Sequence, residues 1–566
     1  MRITLPNLLS IWRAEFQGYN AQAFQHDVLA GITVAAVALP LALAFGVASG
    51  ATAAAGLVTA VLAGFLIGGL GGAGFQVSGP TGAMSAVLIV LASRYGLEGV
   101  WMAGAMAGVF ILLLGIFNLG QIVNFIPSSV LAGFTSGIAV IIFIGQIDNL
   151  LGVKTESAEN SLVKLGNYFR FDYTPNGYAV ALSVLVILIM ALWPKTWNAR
   201  FPGSLLGLIA ATGVTVLFDL DVPVIGAIPQ SILLDARLLP SHIPWENVPD
   251  FIMPAFSIAA LGAIESLLCG SVGSKMTGQK IDSAQELIAQ GLGNIVIPFF
   301  GGVPATAAIA RTSVAVKSGG RTRVISLVHS SMLLIVVLAL SSVISKVPLA
   351  ALGGILAVTA WRMNEWGEIN VIFQRRFRSA VASFILTLCA TVALDLTQAI
   401  ILGVGLSAVI FVVQISRIKV VMQPVSVEKM RQEGYEMKYA ADRIVVVYVV
   451  GPLFFGTVNL FNTALEALNG MQDVILSFRT VALLDTSGVE ALESLIERLE
   501  KGGRRVYLAG LNDPVRTYLD RAHIIEHLGE DRLFWSAYEA IMAADRYRTE
   551  VARKTGEYQT IAALAD

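Results

Sequence analysis

Long apolar stretches, broken by short polar or Gly/Pro-rich turns, fill the chain from residue 27 to residue 418. A helix needs about 20 apolar residues to cross a hydrocarbon core ~30 Å thick. Read on that scale, the pattern predicts spans at 27–48, 52–71, 77–93, 97–117, 127–150, 176–193, 203–218, 251–272, 284–300, 303–317, 323–345, 348–361, 379–395 and 397–416, fourteen in all and several of them short. Residues 1–26 are amphipathic, with Trp12, Phe16, Tyr19 and Phe24 among polar neighbours, and predict a helix lying at the membrane surface. The first apolar run continues well past signal-peptide length, so no cleavable leader is expected.

Beyond residue 418 the pattern changes. A linker is expected over 419–434, a soluble domain over 435–547 and a tail over 548–566. In the soluble part short apolar strands (Arg443–Val450, Asp473–Phe478, Thr480–Leu484, Arg505–Leu508) alternate with amphipathic helices (Val458–Leu468, Val489–Lys501, Pro514–Ala522, Ser536–Ala543), which predicts an α/β sandwich with a mixed sheet. Asp485-Thr486-Ser487-Gly488 falls between a strand and a helix and reads as a turn that caps the helix. The alternative is a phosphorylation site at Ser487.

Composition sharpens this picture. The chain of 566 residues is 55% hydrophobic and 14% charged, against roughly 25% charged for soluble domains. Net charge is −1 and gives no pointer to nucleic acid. Cys269 and Cys389 both fall in predicted spans, which argues against a disulfide framework. No metal-ligand cluster, nucleophile–base pair or phosphate-binding Gly-rich loop stands out, so neither an enzyme nor an ATP-driven pump is expected, and no cofactor.

Charge also orients the spans. With the N-terminus inside, the inner loops 194–202 (Lys195, Arg200), 273–283 (Lys275, Lys280), 317–323 (Lys317, Arg321, Arg323) and 362–378 (Arg362, Arg375, Arg376, Arg378) are basic. The outer loop 219–250 carries Asp219, Asp221, Asp235, Glu246 and Asp250 against Arg237. This is the positive-inside pattern. It predicts a multi-pass protein of the inner (plasma) membrane with both termini cytoplasmic.

An internal repeat locates the chemistry. Ser78-Gly79-Pro80-Thr81-Gly82-Ala83 resembles Gly302-Val303-Pro304-Ala305-Thr306-Ala307 at an offset of 224 residues, each following an aromatic (Phe75; Phe299-Phe300) and opening a short apolar helix. Seven spans per half makes the second half inverted. Short Gly/Pro-interrupted segments at matching positions of inverted halves point to a transporter's binding site. A helix that starts at mid-membrane presents unpartnered N–H groups that favour an anion. The predicted donors are the amides near Thr81–Met84 (Thr81, Gly82, Ala83) and Ala305–Ala308 (Ala305, Thr306, Ala307, Ala308), with the Thr81 and Thr306 hydroxyls.

Arg311 would add a full positive charge; a membrane-buried charge costs at least ~2.5–3.5 kcal/mol and needs an anionic neighbour. Its alternatives are a structural carboxylate partner or a place near the mouth of its span. Glu265 is the other membrane charge: a carrier of a proton or Na⁺, or a fixed salt bridge to Arg311. Gln76 and Ser78 on the first approach strand, and Gln290 and Asn294 on the polar side of the ninth span, are further candidates. Asp395 reads as a cap and His329 as structural.

These motifs resemble the SulP anion transporters: Phe75-Gln-Val-Ser-Gly-Pro-Thr81, Phe134-Thr-Ser-Gly137, Gly262-Ala-Ile-Glu-Ser-Leu-Leu-Cys269, Met276-Thr-Gly278, Glu286-Leu-Ile-Ala-Gln-Gly-Leu-Gly-Asn294 and Ala307-Ala-Ile-Ala-Arg-Thr312. The tail resembles a STAS domain through Val450-Gly-Pro-Leu-Phe-Phe455 and Leu484-Asp-Thr-Ser-Gly488, with Ser487 at the position phosphorylated in soluble relatives.

The resemblance implies a seven-plus-seven inverted repeat with core (spans 1–4, 8–11) and gate (spans 5–7, 12–14) domains. It implies substrate between the half-helices of spans 3 and 10, an elevator movement and a homodimer. Family substrates are sulfate, bicarbonate, chloride and small carboxylates. The runs around Glu265 and Arg311 most resemble bacterial C4-dicarboxylate, proton-coupled members. Na⁺-coupled bicarbonate members carry Asp at the position of Glu265 and a hydroxyl at that of Cys269. The expectation is an H⁺-coupled anion symporter, with Na⁺ as the alternative ion. Rival readings are a membrane-anchored STAS scaffold, which does not need an intact Pro80, Thr81, Pro304 and Arg311, and a nucleobase transporter, which would favour carboxylate or amide pairs over a positive Arg311.

Overall fold

The computed structural model describes residues 8–120, 127–155, 161–170, 173–194, 197, 201–239, 241, 248–394, 396–416, 418–438, 441–466 and 471–555. Lys195, Arg200, Glu246 and Asp395 lie outside them. The chain divides into two units, Met1–Ser407 and Ala408–Asp566.

The first unit is helical: α1 (Leu8–Glu15), α2 (Ala21–Ala48), α3 (Ala53–Leu70), α4 (Gly82–Ile116), α5 (Ser128–Leu151), α6 (Ser161–Arg170), α7 (Gly177–Leu192), α8 (Gly203–Leu217), α9 (Val248–Thr277), α10 (Ser283–Val296), α11 (Ile309–Lys317), α12 (Val324–Ile344), α13 (Leu349–Met363), α14 (Trp366–Gln374), α15 (Arg378–Ala393) and the first part of α16 (Leu396–Ile415), which continues into the second unit. Two-residue strands β1 (Ser78–Gly79) and β2 (Thr306–Ala307) precede α4 and α11. Among the described residues six helices are long and apolar enough to cross a membrane, and four more are apolar but shorter. α4 holds two of the predicted spans, because Gly96 breaks it with a left-handed φ of 70° that a residue with a Cβ rarely adopts.

Packing sorts these helices into two groups. α4 lies against α9 and α10, and α12 against α2 and α3. Separately, α5 lies against α13 and α15, and α7 against α8 and α13. Small residues allow the close approaches: a Cβ on Gly56 would stand 2.0 Å from the Ala42 carbonyl, and one on Gly108 2.6 Å from the Ile295 amide.

The N-terminal segment differs from the expected 26-residue surface helix. Among the described residues of this segment, Leu8–Glu15 forms α1 and residues from Ala21 already belong to α2, while residues 1–7 lie outside them. Glu15 pairs with Arg323 at 2.6 Å, both side chains almost fully buried. Asp27 accepts from the Arg321 amide at 2.7 Å and the Tyr19 hydroxyl at 2.9 Å. These polar contacts pin the segment to the turn before α12.

The second unit is a five-stranded sheet in the order β3 (Lys419–Pro424), β4 (Ile444–Val450), β5 (Asp473–Thr480), β6 (Arg505–Ala509), β7 (Leu533–Phe534). β3 is antiparallel to β4 and the remaining pairs are parallel. Val445, Val447 and Val449 face one core with α19 (Thr486–Lys501), while Ile444 and Val446 face another beneath α22 (Ala537–Thr555). Strands buried on both faces read as continuous apolar runs.

Three expectations need correction here. Residues 419–434 are not a linker, since β3 and α17 (Val427–Gln432) belong to this unit. Thr480–Leu484 is not a separate strand: β5 runs through Thr480, and Leu484 makes one isolated bridge with Leu453. Residues 548–555 are not tail but the last turns of α22, where Arg548 binds Asp473 at 2.6 Å. Burial raises the Asp473 carboxyl above its ordinary value even with Arg548 beside it.

Candidate functional site

β1 and β2 pair antiparallel, Ser78 opposite Ala307 and Gly79 opposite Thr306. Each strand leads within a few residues into a helix, so α4 and α11 run away from one shared strand pair and both N-termini lie at it. Gly82 and Ile309 begin the two helices, a spacing of 227 residues (82 to 309), three more than the motif match predicted.

That difference corrects the predicted donors. The second helix is expected from residue 303, but Val303–Ala308 is not helical. The Ala305 amide donates to Asn294 Oδ1 at 2.7 Å, and Asn294 Nδ2 donates back to the Ala305 carbonyl at 2.9 Å. The Ala307 amide donates to Ser266 Oγ at 3.3 Å and the Ala308 amide to the Val77 carbonyl at 3.0 Å. Thr306 lies in the ladder, its hydroxyl 3.1 Å from Ser266 Oγ. Ala305, Ala307 and Ala308 therefore have no amide to offer a ligand. The groups left are the first amides of α11, those of Ile309, Ala310 and Arg311, where no side chain caps the helix.

At the other opening, the Thr81 side chain caps α4 by accepting from the Met84 amide at 3.3 Å. This leaves the amides of Gly82 and Ala83 in the first turn. The Thr81 hydroxyl donates to Glu265 Oε2 at 3.0 Å. α9 thus brings Glu265 to the same site, where its side chain is half-buried.

Arg311 is 1% exposed. Its Nη2 donates to the Pro80 carbonyl at 2.9 Å. Nη1 lies over Gly79, where a Cβ would stand 2.0 Å from it. A residue other than glycine at 79 would displace the guanidinium. No Glu265–Arg311 pair lies within 4 Å among the described residues, although the two charges act on each other electrostatically. The alternative of a fixed salt bridge to Arg311 is therefore not seen, and the carboxylate is held by Thr81 instead.

The remaining candidates brace this arrangement. Gln76 Nε2 donates to the Ser266 carbonyl at 3.0 Å, tying the approach to β1 to α9, while its Oε1 makes no hydrogen bond to protein. Gln290 Nε2 donates to Ser78 Oγ at 2.9 Å and to Glu286 Oε1 at 3.0 Å, and Glu286 in turn accepts from the Gly72 amide at 3.0 Å. Sequence reasoning missed Ser266 and Glu286 as supports; the available signal was Glu286 one turn before Gln290 on the same helix face, while Ser266, next to Glu265, offered none. His329 is fully buried, with neither ring nitrogen hydrogen-bonded to protein.

In the second unit, Ser487 is half-buried in the first turn of α19. Asp485 caps that helix, accepting from the Gly488 amide at 2.8 Å and the Phe455 amide at 3.0 Å.

Two helix N-termini and one arginine around a strand pair suit an anion. Comparison with known proteins agrees: residues 24–388 match the Sulfate permease family and residues 435–540 the STAS domain. The chain belongs to the sulfate permease family. It is 35% identical to the Bacillus subtilis protein named "Putative sulfate transporter YvdB" over 92% of this chain and 97% of that one. It is 29% identical to the bicarbonate transporter BicA of Picosynechococcus, over 92% and 94%. In three dimensions it resembles the murine Slc26a9 anion transporter, with a TM-score of 0.82 at 20% identity over 94% and 93% of the two chains. This protein is a multi-pass anion transporter of that family with a C-terminal STAS domain, and its relatives are transporters rather than enzymes.

Proposed function

We propose that this family member is a secondary active symporter that carries sulfate, bicarbonate or a C4-dicarboxylate, driven by H⁺ through Glu265. The observation that carries the reading is the strand pair that sends α4 and α11 outward from one point, with Arg311 buried against it. The anion binds the amides of Gly82, Ala83, Ile309 and Ala310. Arg311 acts mainly as a fixed charge beneath the strands, since its Nη2 is spent on Pro80. Glu265 is the titratable partner: an ionised carboxylate repels an incoming anion, and a protonated one does not, so anion and proton enter together.

The α4 opening is covered from α5 and α13, where a Cβ on Gly82 would stand 2.7 Å from Ile142 and 3.1 Å from Met363. Ile309 and Ala310 at the α11 opening are exposed. Rigid movement of the first helix group against the second would exchange that asymmetry, an elevator-type cycle. The working form is a homodimer in the plasma membrane with cytoplasmic termini, and Ser487 is a candidate phosphorylation site at a helix N-terminus, where added negative charge is favoured. Oxygens of Glu265 and Thr81, with Thr306 close by, favour Na⁺ as the second reading for the coupling ion.

Uptake by proteoliposomes tests this. Radiolabelled sulfate, bicarbonate and succinate are offered at two pH values, with and without Na⁺. Accumulation that follows the proton gradient supports the proposal. Accumulation that needs Na⁺ selects the second reading, and no accumulation of any of the three removes the substrate class.

A further inference from the structure

The back of the anion site holds polar groups that neither anion nor coupling ion uses. Arg311 Nε and Nη1, both ring nitrogens of His329 and the Ser330 hydroxyl are buried and make no hydrogen bond to protein. Buried polar groups of native proteins are overwhelmingly hydrogen-bonded, and an unpaired one costs ~1–3 kcal/mol. Five such atoms in one neighbourhood call for a shared partner.

Helix α3 shows that they are neighbours. A Cβ on Gly79 would stand 2.0 Å from Arg311 Nη1 and 3.6 Å from the Ala60 Cα. One turn along the same helix, a Cβ on Gly64 would stand 1.9 Å from Ser330 Oγ and 3.2 Å from His329 Nδ1. A helical turn rises about 5.4 Å. The guanidinium and the imidazole–hydroxyl pair therefore lie against the same face of α3, one turn apart. No direct hydrogen bond joins the two groups, and a buried water, which takes about three hydrogen bonds, would serve both.

We propose that His329 and Ser330 are positioning residues for Arg311, accepting through bridging water from its two unpaired nitrogens, Nε and Nη1. The front of the guanidinium holds Pro80 just before α4, and the back would be held by α12. Neutral imidazole suits this role, since its acceptor nitrogen can face a cation. The helix that carries His329 thereby fixes the charge on which anion affinity depends. The inference rests on the reading of Arg311 as the charge of the anion site.

The test has two arms on the full-length protein. The first is a double-mutant cycle on melting temperature in detergent, using His329→Leu, Arg311→Met and the double variant. The expected result is coupling: His329→Leu lowers the melting temperature when Arg311 is present and has little effect when it is gone. Additive effects would overturn the proposal, whatever the substrate. If the leucine variant does not fold, Ser330→Ala replaces it in the cycle.

The second arm compares uptake of radiolabelled sulfate, bicarbonate and succinate by His329→Leu, His329→Asn and His329→Gln. Leucine keeps the bulk and loses the acceptor, while asparagine and glutamine keep an acceptor. About a tenfold rise in KM for leucine, largely recovered by the two amides, is expected from the loss of a hydrogen bond to a charged group. A packing role would reverse that order, and wild-type uptake by His329→Leu would also sink the idea. Failure of the wild-type chain to accumulate any anion would remove the transport reading, while the melting cycle would still decide the contact.

Discussion

The two helix openings are equivalent by fold and unlike in chemistry. At the α4 opening, Thr81 is 5% exposed, caps its own helix and binds Glu265. At the α11 opening, Ala308 offers no side-chain cap, the first residues are exposed, and Arg311 follows within the first turn. One end is partly satisfied and neutral-to-acidic; the other is unsatisfied and cationic. The fold supplies two similar dipoles, and the side chains divide the labour between a coupling end and a binding end.

Breaking that division at Arg311 should have the largest effect. A buried charge acting across one strand is worth on the order of 3 kcal/mol, so Arg311→Ala should lower uptake about 100-fold. Arg311→Lys should recover only part, because an ammonium lacks the guanidinium fork that reaches Pro80. Initial uptake rates in proteoliposomes measure both, and near-normal rates for the alanine variant would place the binding charge elsewhere.

Glu265→Gln comes next. It keeps the shape and the bond to Thr81 but cannot ionise. The expected outcome is downhill exchange that persists while gradient-driven accumulation falls about tenfold. Retained accumulation with an unchanged pH profile would move the coupling elsewhere.

Thr81→Ala removes a cap and releases the Glu265 carboxylate. A cap is worth ~1 kcal/mol of helix stability, so the melting temperature should fall, and freeing the carboxylate from its hydroxyl partner should displace the pH dependence of uptake. A change confined to protein stability would show that Thr81 merely starts the helix.

The smallest expected effect sharpens the comparison most. Ala308→Ser places at α11 the kind of cap that α4 already has. Its hydroxyl would compete with the anion for the first amides and raise the substrate KM about threefold. Thermal stability should hold or rise slightly. A lower KM would mean that the hydroxyl joins the anion as a ligand instead.

Much of the fold is legible in the amino-acid sequence. Apolar length marked the helices, and Gly/Pro with small residues marked the two openings, because both signals are local. The offset was misjudged by three residues because the match aligned Pro80 with Pro304. The proline at 304 does not start the helix; the Asn294 side chain holds the next residue as a strand partner would, delaying the helix to Ile309. The linker over 419–434 was misread because polar positions of an edge strand look like a loop until β4 is placed beside it.

By itself, the chain determines that two charges sit among apolar helices, that two helices open on small residues, and that a β/α unit follows. Hydropathy and breakers act over a turn or two, so sequence suffices for them. Only the tertiary structure decides which amides stay free, because each was claimed by a partner far along the chain: Asn294, Ser266 or Val77. It likewise decides that Arg311 faces Pro80 and Gly79 rather than Glu265. A buried polar atom takes whatever partner packing brings within about 3 Å, and sequence spacing carries no record of that choice.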